Sequence, residues 1–145
     1  MIQRIQSIFL MLAGVTMAAL FKVPFAISDK PVPHMMDDQV YNIQDNTILI
    51  ILTIIAALLA IGAIFMYANR DLQVRMGYIV IVCSVLLLLV AALLFYNERT
   101  LNTQQAMIED QIGLYLPLVS ILFAALAIRF IRKDENLVRS MDRLR

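Results

Sequence analysis

Residues 48–96 read ILIILTIIAALLAIGAIFMYANRDLQVRMGYIVIVCSVLLLLVAALLFY, and this stretch decides the fold. Two apolar runs, Ile48 to Ala68 and Met76 to Tyr96, flank the polar link Asn69-Arg70-Asp71-Leu72-Gln73-Val74-Arg75. Each run is about as long as a helix needs to cross ~30 Å of hydrocarbon. A link this short forces the two helices to lie side by side and antiparallel. Tyr67 and Tyr78 flank the link at headgroup depth, while Phe95, Tyr96 and Tyr115 mark the opposite face. Such belts are expected at both surfaces of a bilayer.

Two further apolar runs lie outward from this pair, roughly Ile5 to Phe21 and Ile112 to Ile131. Helices are therefore expected at about 5–25, 47–68, 76–96 and 112–131, with outside loops 27–46 and 97–111, an inside link 69–75 and a tail 132–145. A hydrophobic share of 61% in 145 residues exceeds that of soluble domains, which is usually near half. The remaining loops and tail are too short for a second core, so residues 1–145 read as a single four-span membrane domain. The single cysteine, Cys83, lies midway along the third run, reads as a small hydrophobe and allows no disulfide within the chain.

Charge sets the orientation. With both termini cytoplasmic, the inside segments hold Arg4, Arg70, Arg75, Arg129, Arg132, Lys133, Arg139, Arg143 and Arg145, leaving only Lys22, Lys30 and Arg99 outside. The acids divide the other way, with Asp29, Asp37, Asp38, Asp45, Glu98, Glu109 and Asp110 outside and Asp71, Asp134, Glu135 and Asp142 inside. A formal net charge of +1 thus conceals a strongly polarised molecule. The Lys/Arg bias fixes the orientation of a multi-pass membrane protein, N-in and C-in. The first run resembles a signal peptide in its basic start at Arg4, but its uncharged stretch is too long and no small-x-small site precedes Lys22. It is read as a retained first span that Pro24 ends, with Lys22 snorkelling outward.

The first outside loop, with Pro31, Pro33, His34 and the Asp37-Asp38 pair, reads as a polar, turn-rich cap without a core of its own. Asp45 or Asn46 is placed to cap the second helix. The second outside loop is open between coil and a short interfacial helix. Pro117 falls in the first turns of the fourth helix, where its missing N–H costs least. In the tail, Leu137, Met141 and Leu144 recur at helical spacing and Glu135 precedes Arg139 by four residues, which predicts a short amphipathic C-terminal helix, continuous with the fourth span or bent away from it.

Candidate chemistry is sparse. Thr16, Thr53, Ser84 and Ser120, with Cys83, are the polar groups at membrane depth, and their hydroxyls can bond carbonyls of the preceding turn. No ionisable residue lies near a midplane, which argues against a proton-coupled transporter. His34, Asp37 and Asp38 carry metal-compatible atoms but lack a second histidine or cysteine to complete a ligand set. The one His and the one Cys fall at different depths, and no phosphate loop or HExxH motif occurs. No catalytic, cofactor-binding or metal-binding residue is assigned, and neither a cofactor nor a nucleic-acid partner is expected.

Two sets of residues remain. Gly14 and Ala18, Ala56 and Ala60, and Ser120 and Ala124 stand at four-residue spacing, the small-xxx-small pattern that lets helices approach closely in lipid. They are candidate helix-packing positions within this bundle or toward another subunit. Arg4, Arg70, Arg75, Arg132, Lys133, Arg139, Arg143 and Arg145 form a basic inner face, a candidate contact for anionic headgroups or for a larger membrane complex.

Three segments carry a resemblance: Met1-Ile2-Gln3-Arg4-Ile5-Gln6, Tyr67-Ala68-Asn69-Arg70-Asp71-Leu72-Gln73-Val74-Arg75, and Ile131 through Arg145, IRKDENLVRSMDRLR. Together they resemble the four-span family catalogued as domain of unknown function 4293, found in Bacteroidota, although Ala68 stands where a basic residue would be expected. The resemblance implies a small inner-membrane protein and brings no activity, cofactor or catalytic residue with it. All three segments lie on the side the charges assign to the cytoplasm.

The expected protein is an all-α, antiparallel four-helix transmembrane bundle, both termini cytoplasmic, acting without chemistry of its own. An accessory subunit or assembly factor docking through its basic face is the leading expectation. A small homo-oligomeric channel for a neutral solute and an anionic-lipid-binding protein are the alternatives.

Overall fold

Two asparagines set where the central helices begin. In the computed structural model, which describes residues 3–29, 38–101 and 108–142, with side chains from 5–29, 38–97 and 109–138, Asn46 Oδ1 accepts the Ile48 N–H at 2.8 Å and starts α2 (Thr47–Phe65). The chain turns at Met66, and Asn69 Oδ1 accepts the Leu72 N–H at 3.2 Å to start α3 (Arg70–Leu101). Each cap satisfies an N–H that the first helical turn leaves free. The link is therefore shorter than 69–75, because the cap lets α3 begin in polar sequence and Arg70 to Arg75 form its first turns.

The outer pair of helices departs further from expectation. α1 (Gln3–Ala19) stops well before residue 25. A tight turn closes it, with the Leu20 N–H on the Met17 carbonyl at 3.2 Å and the Val23 N–H on that of Ala19 at 3.1 Å. Pro24 then disfavours helical geometry at Val23. α4 (Leu116–Asp142), entered from a 3-10 turn at Ile112–Tyr115, runs on past residue 131. What was expected as a separate short amphipathic helix is its uninterrupted continuation: no Gly or Pro lies between Leu118 and Asp142, and a change from apolar to charged residues does not end a helix.

The two outside loops do not stay apart. β1 (Ala26–Ser28) pairs antiparallel with β2 (Val40–Tyr41) and with β3 (Ile108–Asp110), giving the order β2-β1-β3. Ala26 stands opposite Tyr41 on one side and Asp110 on the other. Gln39 enters β2 with φ at 65°, the sharp reversal that brings its carbonyl 2.8 Å from the Ser28 N–H. Of the second loop's described residues, 97–101 are the end of α3, which runs past the expected 96, and Ile108–Asp110 are a strand. The cap shares the core of the bundle, since Phe25, Tyr41 and Ile43 are buried in continuity with Met17, Leu49 and Leu87 of the helices.

The helices form a ring in which α1 and α3 each pack against both α2 and α4. Alanines dominate its middle, where Ala13, Ala60, Val80 and Ala124 meet, with Leu10, Ala63 and Ala127 one turn along. Large side chains turn outward, including Ile51, Leu58, Val82, Leu89, Leu118 and Leu122. This inversion of the soluble pattern fits surroundings of lipid tails, where packing rather than water exclusion joins helices. α2, α3 and α4 are each long and apolar enough to cross a membrane, and α1 contributes a shorter apolar segment, Ile5–Ala19.

Candidate functional site at the link end of the bundle

The sheet closes one end of the ring; the other, the link end, gathers the start of α1, the α2–α3 link and the last turns of α4. Arg70, first residue of α3, reaches across to Asp134 of α4, with guanidinium nitrogen and carboxylate oxygen 3.1 Å apart. Both side chains are largely covered, so the pair is screened less than a surface bridge, although it lacks the alignment of a hydrogen bond. Two turns along α3, Tyr78 lies beneath the Arg132 guanidinium at 5.4 Å, a cation–π contact. Two cross-links thus tie the charged part of α4 to α3.

Arg129, Arg132 and Lys133 are exposed along an open groove of about 640 Å³ that Ala125, Ile128 and Leu137 also line. Arg75 is exposed on α3. The side chains of Arg4 and Arg139, and residues Arg143 and Arg145 entirely, lie outside the described residues. Of the eight basic candidates, then, the structure brings Arg70, Arg132 and Lys133 onto one α3–α4 rim. Arg129, counted among the inside charges but not among the candidate contacts, belongs with them. Its signal was spacing: it stands three and four residues before Arg132 and Lys133 on one helical face.

Sequence reasoning also missed two buried amides. Gln6 and Gln73 are almost fully covered. The Gln6 side-chain oxygen and both amide atoms of Gln73 have no hydrogen-bond partner among the described residues. Each begins a buried stripe, Gln6-Leu10-Ala13-Met17 on α1 and Gln73-Gly77-Val80-Ser84 on α3. Extending those stripes backward by one turn would have found them.

The small residues separate into two outcomes. Gly14, Ala56, Ala60, Ser120 and Ala124 are buried between helices, whereas Ala18 is exposed. Ala18 is one residue off the Ala13-Met17-Leu20 stripe, on the outward side of α1. A Cβ on Gly14 would stand 3.0 Å from Ile61 Cγ1 and 3.5 Å from the Ala57 carbonyl. Gly14→Ala needs only Ile61 to yield, while Gly14→Leu must part α1 from α2 and is expected to cost about 1–3 kcal/mol, read as an earlier midpoint in denaturing-detergent titration. Across the ring, Ser120 Oγ donates to the Ala13 carbonyl at 3.2 Å. Thr16, Thr53 and Ser84 bond carbonyls of their own helices at 2.7–2.8 Å.

Tyr67, Tyr78, Tyr96 and Tyr115 are exposed at the two ends, but Phe95 turns inward against Tyr41, ring centroids 6.1 Å apart. Asp38 Oδ1 is taken up by the Val40 N–H at 3.2 Å, His34 and Asp37 lie outside the described residues, and no cluster of potential metal ligands occurs among those described.

Four packed helices, three of them long and apolar enough to cross a membrane, make this a helical membrane protein. Its sequence matches the family described as Domain of unknown function (DUF4293) over residues 2–144, and the chain belongs to that family. No match was found among curated proteins or among solved structures.

Proposed function

We propose that this protein is a non-catalytic four-span subunit of a bacterial inner membrane, N-in and C-in, that docks a larger membrane complex through its link end, as an accessory or assembly factor. The observation that carries this reading is the continuation of α4. It leaves the apolar segment at Ile131 and runs as one helix through Asp142, held to α3 by the Arg70–Asp134 pair. The described residues put Arg132, Lys133, Asn136 and Val138 on its exposed surface. At 1.5 Å per residue the eleven residues after Ile131 project by about 16 Å, a rigid handle that an isolated spanning helix does not need. The alanine-packed middle of the ring weighs against conduction through a single bundle, and the described interior offers no polar stripe for a solute.

Orientation is read by replacing Cys83 with Ser and placing single cysteines at Gln44 and at Arg75. An impermeant thiol reagent applied to intact spheroplasts is expected to label the first and not the second. Mild-detergent purification followed by native mass spectrometry is expected to recover a reproducible protein partner that Val138→Glu releases without lowering the thermal midpoint of the bundle. Recovery of monomer and lipid alone would overturn the docking role.

A further inference from the structure

The α4 groove ends at two different chemistries, and its occupant must meet both. Ala125 and Ile128 fall within the apolar run that closes at Ile131, so that end lies at the depth of lipid tails. One turn further, Arg129, Arg132 and Lys133 stand at headgroup depth, level with the tyrosine that Arg132 covers. From Ala125 to Leu137 the groove runs for about 18 Å of helix, enough for a headgroup and the upper part of an acyl chain.

The charge here is not cancelled locally. Asp134 is committed to Arg70, and Glu135 is also engaged in an interaction of its own. Arg132 is the one groove cation with a described contact, and a tyrosine face leaves its charge intact, with N–H edges able to donate. Arg129 and Lys133 make no ion pair among the described residues. A soluble anion would satisfy the cations and leave the apolar end against tails. An apolar chain alone would do the reverse.

We infer that this groove is a binding site for an anionic phospholipid, the phosphate held by Arg129, Arg132 and Lys133 and an acyl chain lying over Ala125 and Ile128. The inference rests on the membrane reading but on neither the partner nor the orientation proposed above. It places lipid recognition on the α4 face from Ala125 to Lys133 rather than on Arg139, Arg143 and Arg145.

The test uses purified, delipidated protein in neutral detergent, titrated with phosphatidylglycerol or with phosphatidylcholine of the same chains, and bound lipid counted by native mass spectrometry. Phosphatidylglycerol is expected to be retained roughly tenfold more strongly, a preference that high salt reduces. The Arg129→Gln, Arg132→Gln, Lys133→Gln triple variant is expected to lose that preference. Ala125→Trp leaves all three charges in place and fills the apolar end, so it is expected to weaken phosphatidylglycerol binding severalfold even if the triple variant fails to fold. Millimolar inorganic phosphate is expected not to displace the lipid. Equal retention of the two lipids, indifference to Ala125→Trp, or displacement by phosphate alone would each overturn the site. Because micelles present lipid from every side and no partner is present, failure here is separate from failure of the docking or orientation readings.

Discussion

Gly113→Ala is expected to destabilise the sheet end by about 3 kcal/mol, the largest effect of adding a methyl group at any of the four glycines. Gly113 is buried in the 3-10 turn between β3 and α4, and its N–H donates to the Pro24 carbonyl at 3.0 Å. A Cβ at this position would collide with the Pro24 carbonyl oxygen, reach 2.6 Å from its carbon and stand 2.9 Å from the Val23 carbonyl oxygen. All three obstacles are backbone, so no side chain can swing aside. The turn must lift, and the bonds on either side of it go with it, including that from the Gln111 N–H to the Phe25 carbonyl at 2.9 Å. Hydrogen exchange in detergent should show the amides of Gln111 and of residue 113, which donate to Phe25 and Pro24, losing protection while the middle of α2 and α3 keeps theirs. Gly62→Ala is the matched control: nothing lies within 4 Å of its Cβ, and the change is expected to be neutral or stabilising by up to about 1 kcal/mol. Similar behaviour of the two variants would refute the backbone clash.

Tyr41→Ala is expected to cost about 3–5 kcal/mol, the range for emptying a buried aromatic site. The ring packs between Phe25 at 5.3 Å and Phe95 at 6.1 Å, and its hydroxyl donates to the Ala91 carbonyl of α3 at 3.0 Å. It is the pin that holds β2 to the bundle. Tyr41→Phe keeps the ring and loses the bond, with an expected cost of about 1 kcal/mol. Burial, and after it the nearby Asp45 carboxylate, pushes the Tyr41 hydroxyl well above the ordinary tyrosine value near 10. Its neutral form is thus favoured in the folded state. The stability it contributes is full below pH about 10 and is lost as pH rises above that, because the unfolded chain releases the proton first. Alkaline unfolding should therefore begin at lower pH in the native protein than in Tyr41→Phe, relative to the neutral-pH stability of each. A midpoint shift of the same size at every pH would show that the hydroxyl is not shielded.

Much of the fold was legible because a bilayer imposes a length. The run, link and run of residues 48–96 give α2 and α3 with their antiparallel order, and Asn46 announces its own cap. The ends were less legible. Asn69 starts α3 six residues before Arg75 because a single side-chain oxygen replaces the missing turn, and α4 continues to Asp142 because nothing in its sequence forbids it. The sheet was invisible: residues 26–28 pair with 108–110 across most of the chain, and three-residue strands leave no periodicity to read. At the link end, the basic residues were legible as a set, but Arg129 joins them and Gln6 and Gln73 underlie them only through helical register.

What the sequence alone determined is the number and approximate length of the apolar helices, their alternating direction and the concentration of positive charge at one end. These follow from local composition and short connections, which need no knowledge of neighbours. Which face of each helix turns inward was decided only by the tertiary structure. In α2 every face is apolar, so no amphipathic stripe separates buried Ala56 and Ala60 from outward Ile54 and Leu58. The distinction is one of size, and it becomes physical only when a neighbouring helix comes close enough to exclude the larger side chains. The same close approach sets Gly113 against Pro24, Tyr41 under Ala91 and Arg70 against Asp134, contacts that exist only once the ring has closed.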